Sequence, residues 1–172
     1  MDRCVYTVTS SFLGPFWVCA TTVGVCGLGF GEYPSDAEVR RLARYDIAPP
    51  ELGTSPVLEA AVAQLADYFD RRLKAFDVPL DLRGTPFQKA VWEELLTIPY
   101  GETLTYGEVA MEVERPRAFQ AVGQANGANP VAIIVPCHRV VGRNGALTGY
   151  AAGVERKAAL LQLEQAGLQL RL

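Results

Sequence analysis

The sequence predicts a mixed α+β fold with two domains, residues 1–83 and 84–172. β-branched and aromatic residues are concentrated in the first thirty positions, which is typical of short strands. Apolar residues at helical spacing and helix-capping signals dominate the second half. Hydrophobic residues make up 49% and charged residues 20% of the 172 positions, so packed cores are expected.

The first domain is predicted to begin with a sheet and to continue with helices. Ser55 and Pro56 supply an N-cap and a proline at the first helical position, which marks the start of one of these helices. The expected elements are three strands within 4–9 and 16–30, a helix over 36–44, a loop over 48–53, a helix from Ser55 to about Leu73 and an extended segment over 78–82.

The second domain is predicted to be mainly helical and to start after Gly84. Thr85 and Gln88 have the spacing of a capping box, with Pro86 at the first helical position. The expected elements are a helix over 86–97, short helices over 106–114 and 116–126, an extended run over 131–135, a hairpin over 142–145 and a last helix over 153–166. The two short helices suggest a helix-turn-helix, although spacing alone favours two simply packed helices.

Net charge limits the classes of partner. The chain carries −3 at neutral pH, which excludes a protein that holds nucleic acid mainly by a broad basic surface. Residues 1–84 contain 8 basic and 11 acidic side chains, whereas residues 85–172 contain 8 of each. Any anion-binding face is therefore expected to be a local patch in the second half.

No apolar run is long enough to span a bilayer, and the start of the chain lacks the basic and apolar regions of a signal peptide. These features predict a cytoplasmic protein without a membrane partner. Its cysteines should then be reduced. Cys4, Cys19 and Cys26 lack the paired spacing of a zinc site, so they are interpreted as buried core thiols and no metal is expected.

One segment predicts chemistry. Cys137 stands directly before His138, the only histidine of the chain. A cysteine is a strong nucleophile only as a thiolate, and a thiolate at neutral pH requires a base or a positive field beside it. The flanking residues are apolar, so the site should be partly enclosed.

The residues around this pair resemble a known family. Pro136-Cys137-His138-Arg139-Val140 is similar to the active-site motif of O6-alkylguanine-DNA alkyltransferases, and the likeness covers residues 84–165. Further matching segments are Thr85–Gln88, Ile98–Gly101, Thr105-Tyr106, Ala121–Gly123, Asn129-Pro130, Gly142–Gly145, Gly149-Tyr150 and, in the first domain, Leu13–Trp17. The resemblance implies an N-terminal α/β domain like ribonuclease H and a C-terminal helical domain with a winged-helix-like helix-turn-helix.

The resemblance also implies a reaction and the residues for it. Cys137 would take the alkyl group from O6-alkylguanine, possibly also from O4-alkylthymine, in a single-turnover, self-inactivating step without a cofactor. His138 would accept the thiol proton through a water, with Glu164 orienting it. Tyr106 would donate to guanine N3, and Asn129 would brace the turn before the cysteine. The resemblance assigns the substrate pocket to Ala132, Val140, Thr148, Tyr150 and Ala151.

Duplex DNA, entered through the minor groove with the nucleotide extruded, is the implied partner of a monomeric protein. The family places an arginine before Ala-Val-Gly to fill the gap in the base stack, and Gln120 occupies that position here. Glutamine lacks the planar cation, so binding is expected to be weakened rather than abolished. The other DNA-contacting residues implied are Thr105, Arg117, Ala121, Gly123 and Arg143.

Two alternatives remain open from the sequence. A non-catalytic sensor of alkylated DNA would lack the cysteine at position 137, so Cys137 argues against it. A cysteine hydrolase would use the same Cys137–His138 pair, but residues adjacent in sequence rarely point at each other, and no oxyanion-hole motif is evident.

Overall fold

The computed structural model describes residues 1–169. The chain divides into two compact units, Met1–Arg83 and Gly84–Leu172. Among the described residues, no helix is both long and apolar enough to cross a membrane.

The first unit is built on a four-stranded sheet with the strand order β3-β2-β1-β4. The first three strands are antiparallel, and β4 pairs with β1 in parallel. The elements are β1 (Val5–Ser11), β2 (Gly14–Ala20), β3 (Val25–Phe30), α1 (Asp36–Arg44), β4 (Glu51–Leu52) and α2 (Pro56–Phe69). The sheet and the bounds of α1 agree with the sequence prediction.

Two predictions for the first unit need correction. The expected loop over 48–53 contains β4, because its backbone pairs with β1. Helix α2 ends at Phe69 rather than near Leu73, since Arg71 adopts a φ of 62° that no α-helix accommodates. The segment 78–82 pairs with β3 through a bridge between Leu80 and Val25, and the N–H of Asp81 donates to the Val25 carbonyl at 2.8 Å.

The cysteines of the first unit lie together in its core. Cys4, Cys19 and Cys26 are buried free thiols, and the Sγ atom of Cys26 is 3.7 Å from the Sγ atoms of both others. They pack in one apolar cluster with Trp17, Leu42 and Ile47. All three sulfur atoms lie within 4.8 Å of one another, so the cluster that the sequence analysis interprets as core thiols also has the spacing of a possible metal-ligand group.

The second unit is mainly helical. Its elements are α3 (Pro86–Leu95), β5 (Leu104–Thr105), α4 (Tyr106–Glu112), α5 (Phe119–Gly127), a 3-10 turn (Cys137–Arg139), β6 (Val140–Val141), a second 3-10 turn (Arg143–Gly145) and α6 (Val154–Gln169). Strands β5 and β6 pair in parallel, with Leu104 opposite Val140. Short polar sequences start two of the helices, since Thr85 and Thr105 each form a capping box. Trp92 of α3 donates its indole N–H to the carbonyl of Ala125 in α5, at 2.8 Å.

Three predictions for the second unit also change. Helix α5 begins at Phe119 rather than at Pro116, so Arg117 lies in the turn before it. Residues 131–135 form a turn with Ile133 at a φ of 71°, not an extended run. Their apolar side chains satisfy burial in either conformation, so composition could not distinguish the two. Asn144 supplies the tight turn at 142–145, but the returning strand of a hairpin is missing from this stretch.

Candidate active site

Cys137 begins the short 3-10 turn that leads into β6, and only 5% of its surface is exposed. Burial raises the pKa of its thiol, while the side chain of Asn129 and the charge of Lys157 act in the opposite direction. The resting side chain is therefore a thiol at neutral pH. Its reaction as a nucleophile requires a base that removes the proton when the electrophile is in place.

The imidazole of His138 is held in place by Glu164. Its Nε2 atom lies 2.9 Å from Oε1 of Glu164, and both side chains are fully buried. Because a carboxylate only accepts, Nε2 carries the ring proton and Nδ1 keeps its lone pair. No hydrogen-bond partner for Nδ1 is found in the part of the chain that the structure describes. Burial lowers the pKa of His138, so the imidazole is a neutral base.

Arg139 completes a buried charged group that the sequence did not predict. Its guanidinium donates to Glu164 at 2.7 to 3.2 Å and to the carbonyl of Ile98 at 2.6 Å. Burial alone would raise the pKa of Glu164, but the hydrogen bonds and charges of His138 and Arg139 outweigh it and lower that pKa to about 2. Glu164 is therefore ionised at every physiological pH. The signal available in the sequence was a lone basic residue inside an apolar motif.

Two asparagines fix the backbone around the cysteine. The amide of Asn129 donates to the carbonyl of Val135 at 2.8 Å, and its oxygen accepts from the N–H of Val131 at 3.0 Å. Asn129 thus spans the turn that precedes Cys137. Asn126, which was not singled out from the sequence, is buried in α5 and donates to the Cys137 carbonyl at 3.3 Å.

A second buried cation, Lys157, lies on α6, the helix that also carries Glu164. The carbonyl of Thr148 accepts from both the Lys157 ammonium, at 2.9 Å, and the Tyr106 hydroxyl, at 3.0 Å. The ammonium also lies 5.8 Å from the centre of the Tyr106 ring. Burial lowers the pKa of Lys157 and raises that of Tyr106. The seven-residue spacing of Lys157 and Glu164, two helical turns, could have revealed it.

The remaining residues assigned to the substrate pocket differ in exposure. Val140 is fully buried in β6, and Tyr150 is buried, which raises the pKa of its hydroxyl. Ala132 is half-buried in the turn, whereas Thr148 and Ala151 are exposed. Gly149 adopts a φ of 63°, and a Cβ there would lie 3.3 Å from the Tyr106 hydroxyl oxygen. The loop at 148–151 therefore packs closely over Tyr106.

The residues assigned to DNA contact lie mostly at the surface of this unit. Arg117, Gln120, Ala121 and Arg143 are exposed. Gly123 is half-buried, and a Cβ on it would be 3.9 Å from the Tyr106 ring. The hydroxyl of Thr105 is engaged as the cap of α4, accepting from the N–H of Glu108 at 3.1 Å.

A surface cleft of about 890 Å³ lies in front of Tyr106. It is lined by Thr105, Tyr106, Met111, Pro116, Phe119 and Arg143, among others. The structure thus places the buried Cys137, His138 and Glu164 beside the half-buried Asn129, which spans the turn before the cysteine. It also places Tyr106 and Arg143 on one cleft.

Two family models match the chain. One is described as the DNA binding domain of 6-O-methylguanine DNA methyltransferase and matches residues 86–166. The other is described as its ribonuclease-like domain and matches residues 4–82.

Individual relatives show the same likeness. A methylated-DNA–protein-cysteine methyltransferase of Mycobacterium tuberculosis is 63% identical over 105 residues, which cover 61% of this chain and 64% of that protein. One of Methanosarcina barkeri is 42% identical over 95% of this chain and 99% of its own length. A crystal structure of Mycobacterium tuberculosis OGT in complex with DNA has a TM-score of 0.80 and 47% identity, covering 94% of this chain and 93% of that one.

Proposed function

We propose, because the chain belongs to the 6-O-methylguanine DNA methyltransferase family, that it repairs duplex DNA by moving an alkyl group from guanine O6 to Sγ of Cys137. The observation that carries the proposal is the buried His138–Glu164 pair beside the cysteine, with Nδ1 of the histidine left to accept a proton. A thiol of raised pKa next to such a base is suited to a nucleophilic displacement.

In the proposed step, Nδ1 of His138 takes the thiol proton through one water. The sulfur forms a bond to the alkyl carbon while the bond between that carbon and O6 breaks. The electron pair passes into the guanine ring, where the Tyr106 hydroxyl, released from the Thr148 carbonyl, donates to N3 and offsets the developing charge. The departing guanine then takes up the proton held by His138, which neutralises its charge. The products are a thioether on Cys137 and an unmodified guanine.

The thioether makes the reaction a single turnover. A thioether sulfur is a poor leaving group, so the alkyl group stays on Cys137. Each molecule is therefore consumed by one lesion, and no cofactor enters the balance. The protein acts as a monomer on this account, since Cys137, His138 and Glu164 all belong to one unit of one chain.

DNA contact is proposed on the face that carries α5 and the cleft before Tyr106. Because Cys137 is 5% exposed, a base can reach it only after leaving the duplex stack. Arg143 lines this cleft, Arg117 is exposed directly after the cleft residue Pro116, and both arginines are suited to phosphate contacts. Entry from the minor groove is the orientation that we propose for α5.

The experiment is a stoichiometry measurement with an excess of a duplex that contains one O6-methylguanine. Loss of the lesion should stop when one lesion per protein molecule has been repaired, and Cys137→Ser should repair none. Continued turnover would contradict the thioether mechanism. Tight lesion binding without any repair would instead favour the sensor, and release of product from an ester substrate would favour a hydrolase.

A further inference from the structure

Two large apolar side chains stand exposed at the cleft in front of Tyr106. Phe119, the first residue of α5, exposes 53% of its surface, and Met111 of α4 exposes 67%. Both line the cleft together with Tyr106. Neighbouring apolar side chains that are exposed at a cleft often mark a binding surface.

The reaction proposed above creates a place for such a side chain. Extruding a nucleotide leaves a gap in the base stack, and the neighbouring bases lose their stacking partner. Proteins that open DNA from the minor groove frequently insert Phe, Met or Leu between base steps, because an apolar side chain replaces part of that contact. An aromatic ring also stacks on bases of any sequence.

Phe119 meets the geometric requirements for this role. It begins a helix on the DNA-facing surface, directly before Gln120, which the sequence assigned to the gap. A glutamine side chain hydrogen-bonds to a base edge but offers little stacking surface. The exposed Arg117 and Arg143 supply positive charge on this face. The carboxylate of Glu108, also at the cleft, accepts from the N–H of Thr105 at 2.7 Å and is held at the start of α4.

We propose that Phe119 is the wedge that enters the base stack beside the extruded nucleotide, with Met111 covering the adjacent base and Gln120 hydrogen-bonding to a base edge. The inference rests on the proposed function and goes beyond it, because it assigns the opening of the duplex to a residue outside the reacting group. Phe119 is a DNA-contacting residue on this account and takes no part in the alkyl transfer itself.

The test compares alkyl transfer from O6-methylguanine in a duplex with transfer from the free base, in single-turnover reactions. Phe119→Ala should slow the duplex reaction about 10-fold or more, as expected for loss of one base-stacking contact. It should leave the free-base reaction unchanged, because no stack has to be opened. Phe119→Trp should restore the duplex rate. Leu96→Ala is the matched control, since Leu96 is an exposed apolar side chain of the same unit that is 43% exposed.

A second measurement follows the opening directly. A duplex with 2-aminopurine next to the lesion should gain fluorescence when wild-type protein binds, and Phe119→Ala should reduce this gain. The proposal would be overturned if Phe119→Ala left the duplex rate and the fluorescence gain unchanged. It would also be overturned if the variant lowered the alkyl-transfer rate equally with the duplex and with the free base. A loss for Gln120→Ala alone would identify Gln120 as the plug. If wild type alkylates itself with neither substrate, the proposed function fails, and the fluorescence still decides the role of Phe119.

Discussion

Nε2 of His138 lies 2.9 Å from Oε1 of Glu164, and neither side chain is exposed to solvent. This contact fixes the tautomer of the only histidine in the chain. In the proposed mechanism it also lets two residues adjacent in sequence act together, because Glu164 holds one ring nitrogen of His138 and the other accepts the Cys137 proton through a water. Arg139 holds the Glu164 carboxylate in turn, at 2.7 Å.

Glu164→Gln is expected to destabilise the fold by about 3 to 5 kcal/mol at pH 7, because it leaves the buried Arg139 guanidinium without its counter-charge. The pKa of Glu164 is lowered from 4.5 to about 2, so the stability that the carboxylate contributes is fully present above pH 4.5. It is lost as pH falls through 2. Urea unfolding of wild type and Glu164→Gln from pH 7 to 2 should show that the difference between their free energies of unfolding becomes smaller below pH 4.5. A difference that stays constant over this range would contradict the ion pair.

The rate of alkyl transfer should stay level from pH 8 down to 6.5 and fall at lower pH. Burial lowers the pKa of His138 below its ordinary value of 6.5, and only the neutral imidazole accepts a proton. A pH–rate profile under single-turnover conditions measures this directly. His138→Gln should lower the rate and remove the acid limb. A fall in rate centred above pH 6.5 would contradict a lowered pKa for His138.

Lys157→Met, which removes the charge but keeps a side chain of similar length, should slow alkyl transfer about 10-fold. The Lys157 ammonium and the Tyr106 hydroxyl both donate to the Thr148 carbonyl, so without the ammonium only Tyr106 holds this carbonyl. The loop over Tyr106 should then be less ordered, and the hydroxyl should leave the carbonyl for guanine N3 less readily. Lys89→Met is the control, since Lys89 is an exposed lysine on α3 of the same unit. Equal rates for both variants would exclude a role for Lys157.

Asn129→Ala should lower the free energy of unfolding by about 1 to 3 kcal/mol, because it leaves the Val135 carbonyl and the Val131 N–H in the turn without their partner. The same change should reduce the alkyl-transfer rate, since this turn positions Cys137. Chemical denaturation monitored by the tryptophans measures the first effect. Gln162→Ala, at an exposed site on α6, should change neither quantity, and a similar loss there would contradict the role of Asn129.

Local signals in the sequence predicted much of the fold. The helix predicted over 36–44 matches the limits of α1, and the capping box at Thr85 gave the start of α3. Predictions of elements were wrong where tertiary contacts determine the backbone conformation. Residues 131–135 are apolar throughout, and their turn depends on a side chain outside the run, Asn129. Pairing across long sequence distances created β4, which its own two residues could not indicate.

The site was predicted unevenly for the same reason. The Cys137–His138 motif is contiguous and therefore visible in one segment. Arg139 and Lys157 were missed because the role of a buried cation depends on its partners, and those partners lie on other segments of the chain. Asn126 was missed because its bond to the Cys137 carbonyl joins α5 to the 3-10 turn.

Intact-mass measurement after incubation with an O6-methylguanine duplex tests the central claim most directly. Each wild-type molecule should gain the mass of one CH₂ group, and peptide mapping should place it on Cys137. An unmethylated duplex should add nothing, and Cys137→Ser should stay unmodified with either duplex. A protein that binds the methylated duplex without gaining mass, or that carries the added group on Cys4, Cys19 or Cys26, would contradict alkyl transfer to Cys137.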